Sequence, residues 1–163
     1  MEKYDKMSKK EVYSRGSNRF MCKASEVGKI VINKCLDRKL EINTQKLQKL
    51  LVLVQVECIK ESGFPLFSED IRIWDCGVAI KEVDEDFRAY SLGFSEDDKQ
   101  IENLILLHSE HAYIDKILDR YGELSIVELS ELPIIQRIVR MGIINEGETV
   151  PHISAACLTE EFA

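Results

Sequence analysis

The sequence has little of what catalysis, metal binding or membrane insertion would need. It contains no apolar run approaching about 18 residues, so no membrane-spanning helix is expected. Its start has no apolar segment of the secretory kind. Three prolines are too few for long Pro-rich linkers. The five cysteines, Cys22, Cys35, Cys58, Cys76 and Cys157, are an odd number and form no CxxC pair. That spacing argues against a zinc ribbon and a redox dithiol and fits a reducing cytoplasm. A Gly-rich phosphate loop, an HExxH helix and a Ser/His/Asp signature are all missing. Acidic residues outnumber basic ones, giving a net charge of −7. The chain therefore lacks the positive excess that drives binding to phosphate backbones, and no nucleic-acid partner or cofactor is expected.

What is present suits a folded domain. A chain of 163 residues is the size of one domain. It can bury roughly 70% of its unfolded surface, so neither a metal nor a disulfide is required. Charge is uneven: residues 1–22 carry Lys3, Lys6, Lys9, Lys10, Arg15 and Arg19, whereas the residues after Gly142 hold Glu146, Glu148, Glu160 and Glu161 with no Lys or Arg. We read a basic arm over 1–22, a domain over 23–142 and an acidic segment over 143–163. An acidic protein with a basic head suits a protein partner.

The apolar periodicity predicts an α+β fold, mainly helical, with a small antiparallel sheet. Val27, Ile30, Val31 and Leu36 share one helix face. Asn43 or Thr44 caps a second helix, where Leu47, Leu50, Leu51, Val54 and Cys58 form an apolar stripe ended by Gly63 and Pro65. Lys46 and Lys49 flank that stripe and read as a solvated edge, while Gln48 is placed to hydrogen-bond toward a strand. Phe67 to Trp74 alternates as a strand broken at Gly77. Ala79, Ile80, Val83, Phe87 and Tyr90 return to helical spacing. Leu92–Asp98 reads as a loop, and 101–107 fits either a second strand pairing with 70–74, the favoured reading, or the first turns of a longer helix. Ser109 is the expected cap of a helix running to Tyr121, and Ser125 with Glu128 forms a capping box. Ile134, Ile135, Ile138 and Val139 make a further helix, and Pro151 suits the first position of a last one.

Several constellations bear on chemistry. His108 and His111 stand at metal-ligand spacing but lack a third ligand. Cys76 sits in a turn beside Gly77 with no base near it in sequence. Asp75, Glu82, Asp84, Glu85 and Asp86 form an acidic patch that reads as a solvated helix start or as a docking surface for a basic face. Trp74, at a strand end, reads as a core residue whose indole N–H pins the turn.

Gln45-Lys46-Leu47-Gln48-Lys49-Leu50-Leu51, with Gln55 beyond, resembles the Leu-Lys-Leu-Gln-Lys-Leu-Leu helix of the Panacea domain, the family of SocA-type antitoxins found in prophages. Pro65-Leu66-Phe67, Glu69, Asp70, Trp74 and Gly77 are similar to the family's next segment. Ile117-Leu118-Asp119-Arg120-Tyr121-Gly122-Glu123-Leu124-Ser125 and Glu128-Leu129-Ser130 are similar to its later ones. The resemblance covers roughly residues 24–135. Two departures stand out: Val78 follows Gly77 where the family has proline, and Leu132-Pro133-Ile134-Ile135-Gln136 replaces a stretch carrying a Pro-Trp pair. The resemblance implies an antitoxin that binds and neutralises a protein toxin by contact, not an enzyme. A proteolytic adaptor, or a phage inhibitor of a host defence protein, would use the same scaffold. On this reading Lys46, Lys49, Trp74, Asp75 and Glu82 are the candidate partner-binding residues.

Overall fold

A computed structural model describes residues 21–88 and 106–163. The described residues form seven helices and three short strands. Helix α1 (Ala24–Asp37) and helix α2 (Thr44–Ser62) come first, then strands β1 (Ile71–Trp74) and β2 (Gly77–Ala79) and helix α3 (Lys81–Arg88). Helices α4 (His108–Tyr121), α5 (Ile126–Ser130) and α6 (Pro133–Met141), strand β3 (His152–Ile153) and helix α7 (Ala155–Phe162) follow. The sheet is antiparallel with order β2-β1-β3. This is the mainly helical α+β architecture expected from the periodicity. No helix among the described residues is long and apolar enough to cross a membrane.

Helix α2 is the centre of the molecule and packs against each of the other six described helices, with α1, α4, α5 and α7 among its main partners. Asn43 caps it by accepting the Lys46 amide at 2.9 Å. Gly63 ends it in a left-handed conformation with φ of 82°, as the sequence signals predict. Every residue from Lys46 to Ile59 is buried. The amphipathic pattern is therefore misleading at Lys46 and Lys49. They are not a solvated edge: only 6% and 1% of their surfaces are exposed. A helix enclosed on all sides must satisfy its polar residues internally.

It does so with loop backbone. Gln55 donates Nε2 to the Phe67 carbonyl at 2.7 Å and accepts the Leu66 and Phe67 amides at 2.7 and 3.3 Å. One turn-pair earlier, Gln48 donates to the Ile80 carbonyl at 3.1 Å and accepts the Ile80 amide at 2.8 Å. The predicted reach of Gln48 toward a strand thus ends on the residue directly after β2. Lys46 Nζ donates to the Gly122 carbonyl at 2.6 Å, at the end of α4. Lys49 Nζ donates to the Cys76 carbonyl at 3.2 Å, in the β1–β2 turn.

Other boundaries shift for local reasons. The strand begins at Ile71, not Phe67, because the backbone of Leu66 and Phe67 is held by Gln55. Gly77 does not end the sheet but opens β2, so Ala79 is a strand residue and the helix starts only at Lys81. Three residues are too few for a legible period. Trp74 pairs with Gly77 across a two-residue turn. Gly77 has φ of 113°, and a Cβ there would sit 3.2 Å from Lys49 Nζ, so both conformation and space select glycine. Ser109 is not the cap of α4. Leu107 takes that place because Glu110 reaches back to its amide at 3.0 Å. Pro151 does not start the last helix: its carbonyl accepts the Ile73 amide at 2.9 Å. Ser154 caps α7 instead, accepting the Cys157 amide at 3.1 Å. The Ser125–Glu128 capping box forms as expected, with bonds of 3.0 and 3.1 Å.

Residues 143–163 join the same core. Strand β3 pairs with β1, and Ile153, Leu158 and Phe162 are buried with it. Lys60 and Arg137 lie over the Phe162 ring at 5.7 and 5.1 Å, and Arg137 also pairs with Glu161. Cys35 and Cys58 are buried, as their apolar faces suggest, and burial pushes the Cys35 thiol up to about 11. The basic arm, apart from Met21 and Cys22, lies outside the described residues, as do Tyr90, the Leu92–Asp98 loop and residues 101–105 of the expected second strand. Leu106 is a bend residue and Leu107 the α4 cap.

The Gln55 clamp gives a direct test. Gln55→Leu strands two amides and a carbonyl in the core, at about 1–3 kcal/mol for each group left unpaired. We expect a loss of at least about 2 kcal/mol, read as a lower urea midpoint with an unchanged slope. Asn43→Ala, which removes one cap bond, costs only about 1 kcal/mol in the same measurement.

Candidate functional site

The hairpin alternates its side chains between two faces. Ile71 is buried and Ile73 packs against the core. Arg72 and Trp74 therefore share the opposite face. Trp74 is half-buried, not a core residue, because its face of the hairpin opens onto clefts instead of packing into the core. Trp74 borders two clefts. One, of about 480 Å³, is lined by Thr44, Gln45, Gln48 and Lys49 of α2, the hairpin, and Asp84 and Phe87 of α3. The other, of about 530 Å³, is lined by Arg72, Trp74, Lys81, Asp84 and Glu85.

The candidate residues fall into two groups. Lys49, Trp74 and Asp75 are brought together at the hairpin: Lys49 holds the turn from beneath, and Asp75 is exposed at its tip. Glu82 is exposed on the first turn of α3, where negative charge suits the helix dipole. It lines neither cleft, and its carbonyl accepts a 3.5 Å bond from Ser25 of α1. Lys46 lies apart, in a hollow of about 600 Å³ between Lys39–Asn43 and the α4–α5 turn. Its ammonium closes the carbonyl end of α4, which is a structural task. Arg72 and Lys81 were not among the candidates. The signal for Arg72 was its period-two spacing from Trp74.

Lys81 pairs with Glu85 at 3.7 Å. Burial, opposed by the nearby Cys76, holds the Lys49 ammonium below the ordinary lysine range. Cys76 itself is exposed. His108 and His111 both lie in the first turn of α4, and His108 is exposed. No group of three or more His, Cys, Asp or Glu side chains suited to a metal occurs among the described residues. His152 is held instead between carboxylates, with Nδ1 3.1 Å from Asp70 and Nε2 3.1 Å from Glu148. That contact holds the Glu148 carboxyl below its usual range and ties the 145–148 turn to the sheet.

Lys49 has a pH signature of defined sign. Its folded-state pKa lies below that of the unfolded chain, so the unfolded state binds the proton more tightly through the alkaline range. The cost of burying the charge is fully present near neutrality and is relieved as pH rises toward 10.5, the ordinary lysine value. Urea midpoints of the wild type and Lys49→Met, compared from about pH 8 upward, should diverge in favour of the wild type. A pH-independent difference would mean that the amine carries no such penalty.

A family model described as Antitoxin SocA-like, Panacea domain, matches residues 47–133. The matched stretch runs from the first apolar position of α2 to the first residue of α6, and so takes in the Gln48, Lys49 and Gln55 clamps, the hairpin and Trp74. No curated protein and no solved structure matches the chain. The match spans more than half of the sequence, and the chain belongs to the SocA-like antitoxin family with its Panacea domain.

Proposed function

We propose that this protein binds a protein toxin by direct contact and neutralises it by occlusion, using the hairpin face centred on Trp74. The observation that carries the reading is a half-buried tryptophan with an arginine beside it, set between two clefts and rimmed by charge. Binding energy concentrates in such Trp and Arg anchors, with charged residues around them setting specificity and approach. Asp75 and Glu82, both exposed, supply that rim toward basic groups of the toxin. Lys49 contributes by fixing the turn that carries Asp75. The family's antitoxin role favours a non-catalytic protein, and the buried clamps of α2 support the same view: their polar groups serve the scaffold. The complex forms in the cytoplasm, with no part for nucleic acid or membrane, and the basic residues of 1–22 extend the contact.

The departures from the family pattern do not remove this surface. Ile135 is buried and Ile134 packs against the core, so the stretch without a Pro-Trp pair is scaffold in this chain. Val78 is likewise buried.

The test is co-expression with the product of a neighbouring gene that proves toxic when expressed alone. Wild-type protein should restore growth and bind the purified toxin. Trp74→Ala should weaken binding by at least about 2 kcal/mol, roughly 30-fold, as for a hot-spot residue, and should lose rescue while its urea midpoint changes little. Rescue without a measurable complex, or full affinity in Trp74→Ala, would rule out contact through this face.

A further inference from the structure

We propose that Arg72 receives a carboxylate from an acidic side chain of the protein partner, so that the partner presents one buried acid within a basic surround. The inference deepens the toxin-binding reading and rests on it for the identity of the occupant.

Arg72 lines a cleft together with two acids, yet its guanidinium makes no ion pair or hydrogen bond among the described residues. Glu85 is taken by Lys81 at 3.7 Å. Asp70, two residues away, is taken by His152 at 3.1 Å. The cation on the other side of Trp74 is in a similar position: the Lys49 ammonium meets one carbonyl and no carboxylate among the described residues. Thr44 and Gln45, the first residues of α2, border the Lys49 cleft, which adds the positive end of the helix dipole. Trp74 thus has a cation on each side that makes no ion pair among the described residues, Arg72 in one cleft and the buried Lys49 behind the other, while Asp84 borders both clefts. Asp75 and Glu82 lie outside the Arg72 cleft, and of the two acids on its wall Glu85 is held by Lys81.

The arrangement selects its occupant. A guanidinium presents a planar fork that matches a carboxylate with two parallel bonds. Asp84 and Glu85 on the cleft wall oppose a doubly charged ion more than a singly charged one. The indole of Trp74 offers apolar surface to the stem of a side chain and nothing to a bare ion. A lone surface pair in water is weak, so the carboxylate must arrive on a segment that also covers Trp74 and excludes water from the pair.

Trp74 is the only tryptophan in the chain, so its emission reports directly from the site. The full chain is titrated with a blocked tripeptide, acetyl-Leu-Glu-Leu-amide, with its Gln counterpart, and with inorganic phosphate. The Glu peptide should change the emission saturably and bind at least about tenfold more tightly than the Gln peptide, as expected for a charge-assisted pair. Arg72→Gln should erase that preference. Arg72→Lys, which keeps the charge and loses the fork, should retain only a minor part of it. Lys116→Gln, which acts on α4 against Glu57 and Glu61, should leave it intact. Because the Arg72 side chain holds no protein group, both Arg72 variants should keep the wild-type urea midpoint. Equal binding of the two peptides, a preference surviving in Arg72→Gln, no response to either peptide, or tighter binding of phosphate would each overturn the proposal. No toxin is present in the titration, so failure of the cleft and failure of toxin binding are read separately.

Discussion

A helix surrounded by protein on every side has no solvent in which to leave a polar side chain. In α2 the solution at four buried positions is to turn the polar group into a substitute for secondary structure. Gln48 and Gln55 each pair with both the donor and the acceptor of a loop, as a neighbouring strand would. Lys46 and Lys49 each supply a donor to a carbonyl that has no backbone partner, one at a helix end and one in a hairpin turn. Without these bonds the segments 64–70 and 75–80 would have to bury open backbone groups. The position of the hairpin, and with it the position of Trp74, follows from side chains on the central helix more than from the three short strands themselves. A three-stranded sheet with a two-residue edge strand has little hold of its own.

The ion pairs have a lesser part. Lys34 and Arg38 of α1 meet Asp115 and Asp119 of α4, and Lys116 meets Glu57 and Glu61 of α2. They orient helices that already share the apolar core. Contacts of this kind at a surface are worth about 0–1 kcal/mol each. Removing a Gln clamp leaves several buried backbone groups unpaired, whereas breaking the Lys34, Arg38 or Glu61 contacts leaves only solvated charges; the nearly buried Glu57 carboxylate, held by Lys116, lies between the two cases.

Much of the local order was legible in the sequence because it rests on local chemistry. The Asn43 cap, the Gly63 stop and the Ser125–Glu128 box each need only residues within one turn of each other. The burial of Cys35 and Cys58 followed from apolar periodicity. What could not be read were the events set by long-range contact. Nothing near Lys49 signals that a turn 27 residues onward will supply its acceptor, so its charge reads as solvated. Strand β2 forms because β1 lies beside it, and β3 because β1 has a second edge. Both are too short to show a period. The Leu107 and Ser154 caps were missed for a different reason: a nearby Ser or Pro offered a stronger conventional signal. The same limit governed the site. Trp74 looked like core because the sequence does not say which face of the hairpin is covered, whereas Arg72 on the same face was passed over for the acids that crowd around it.

The division between scaffold and surface bears on how such a domain can take different partners. The groups that fix the hairpin are buried side chains of α2 bonded to backbone, while the side chains of Arg72, Trp74 and Asp75 hold no backbone group of the hairpin. A substitution on the outer face leaves every clamp in place. The physical domain also reaches beyond the family match, which stops at Pro133. Strand β3 completes the pairing of β1, and Leu158 and Phe162 close the core against α2. The residues after 133 are therefore part of what holds the hairpin in position, although the hairpin itself lies within the matched stretch. A surface carried on so firmly held a turn would lose little freedom on binding, and under the proposed contact that pre-organisation would let a small face with one tryptophan serve as an anchor.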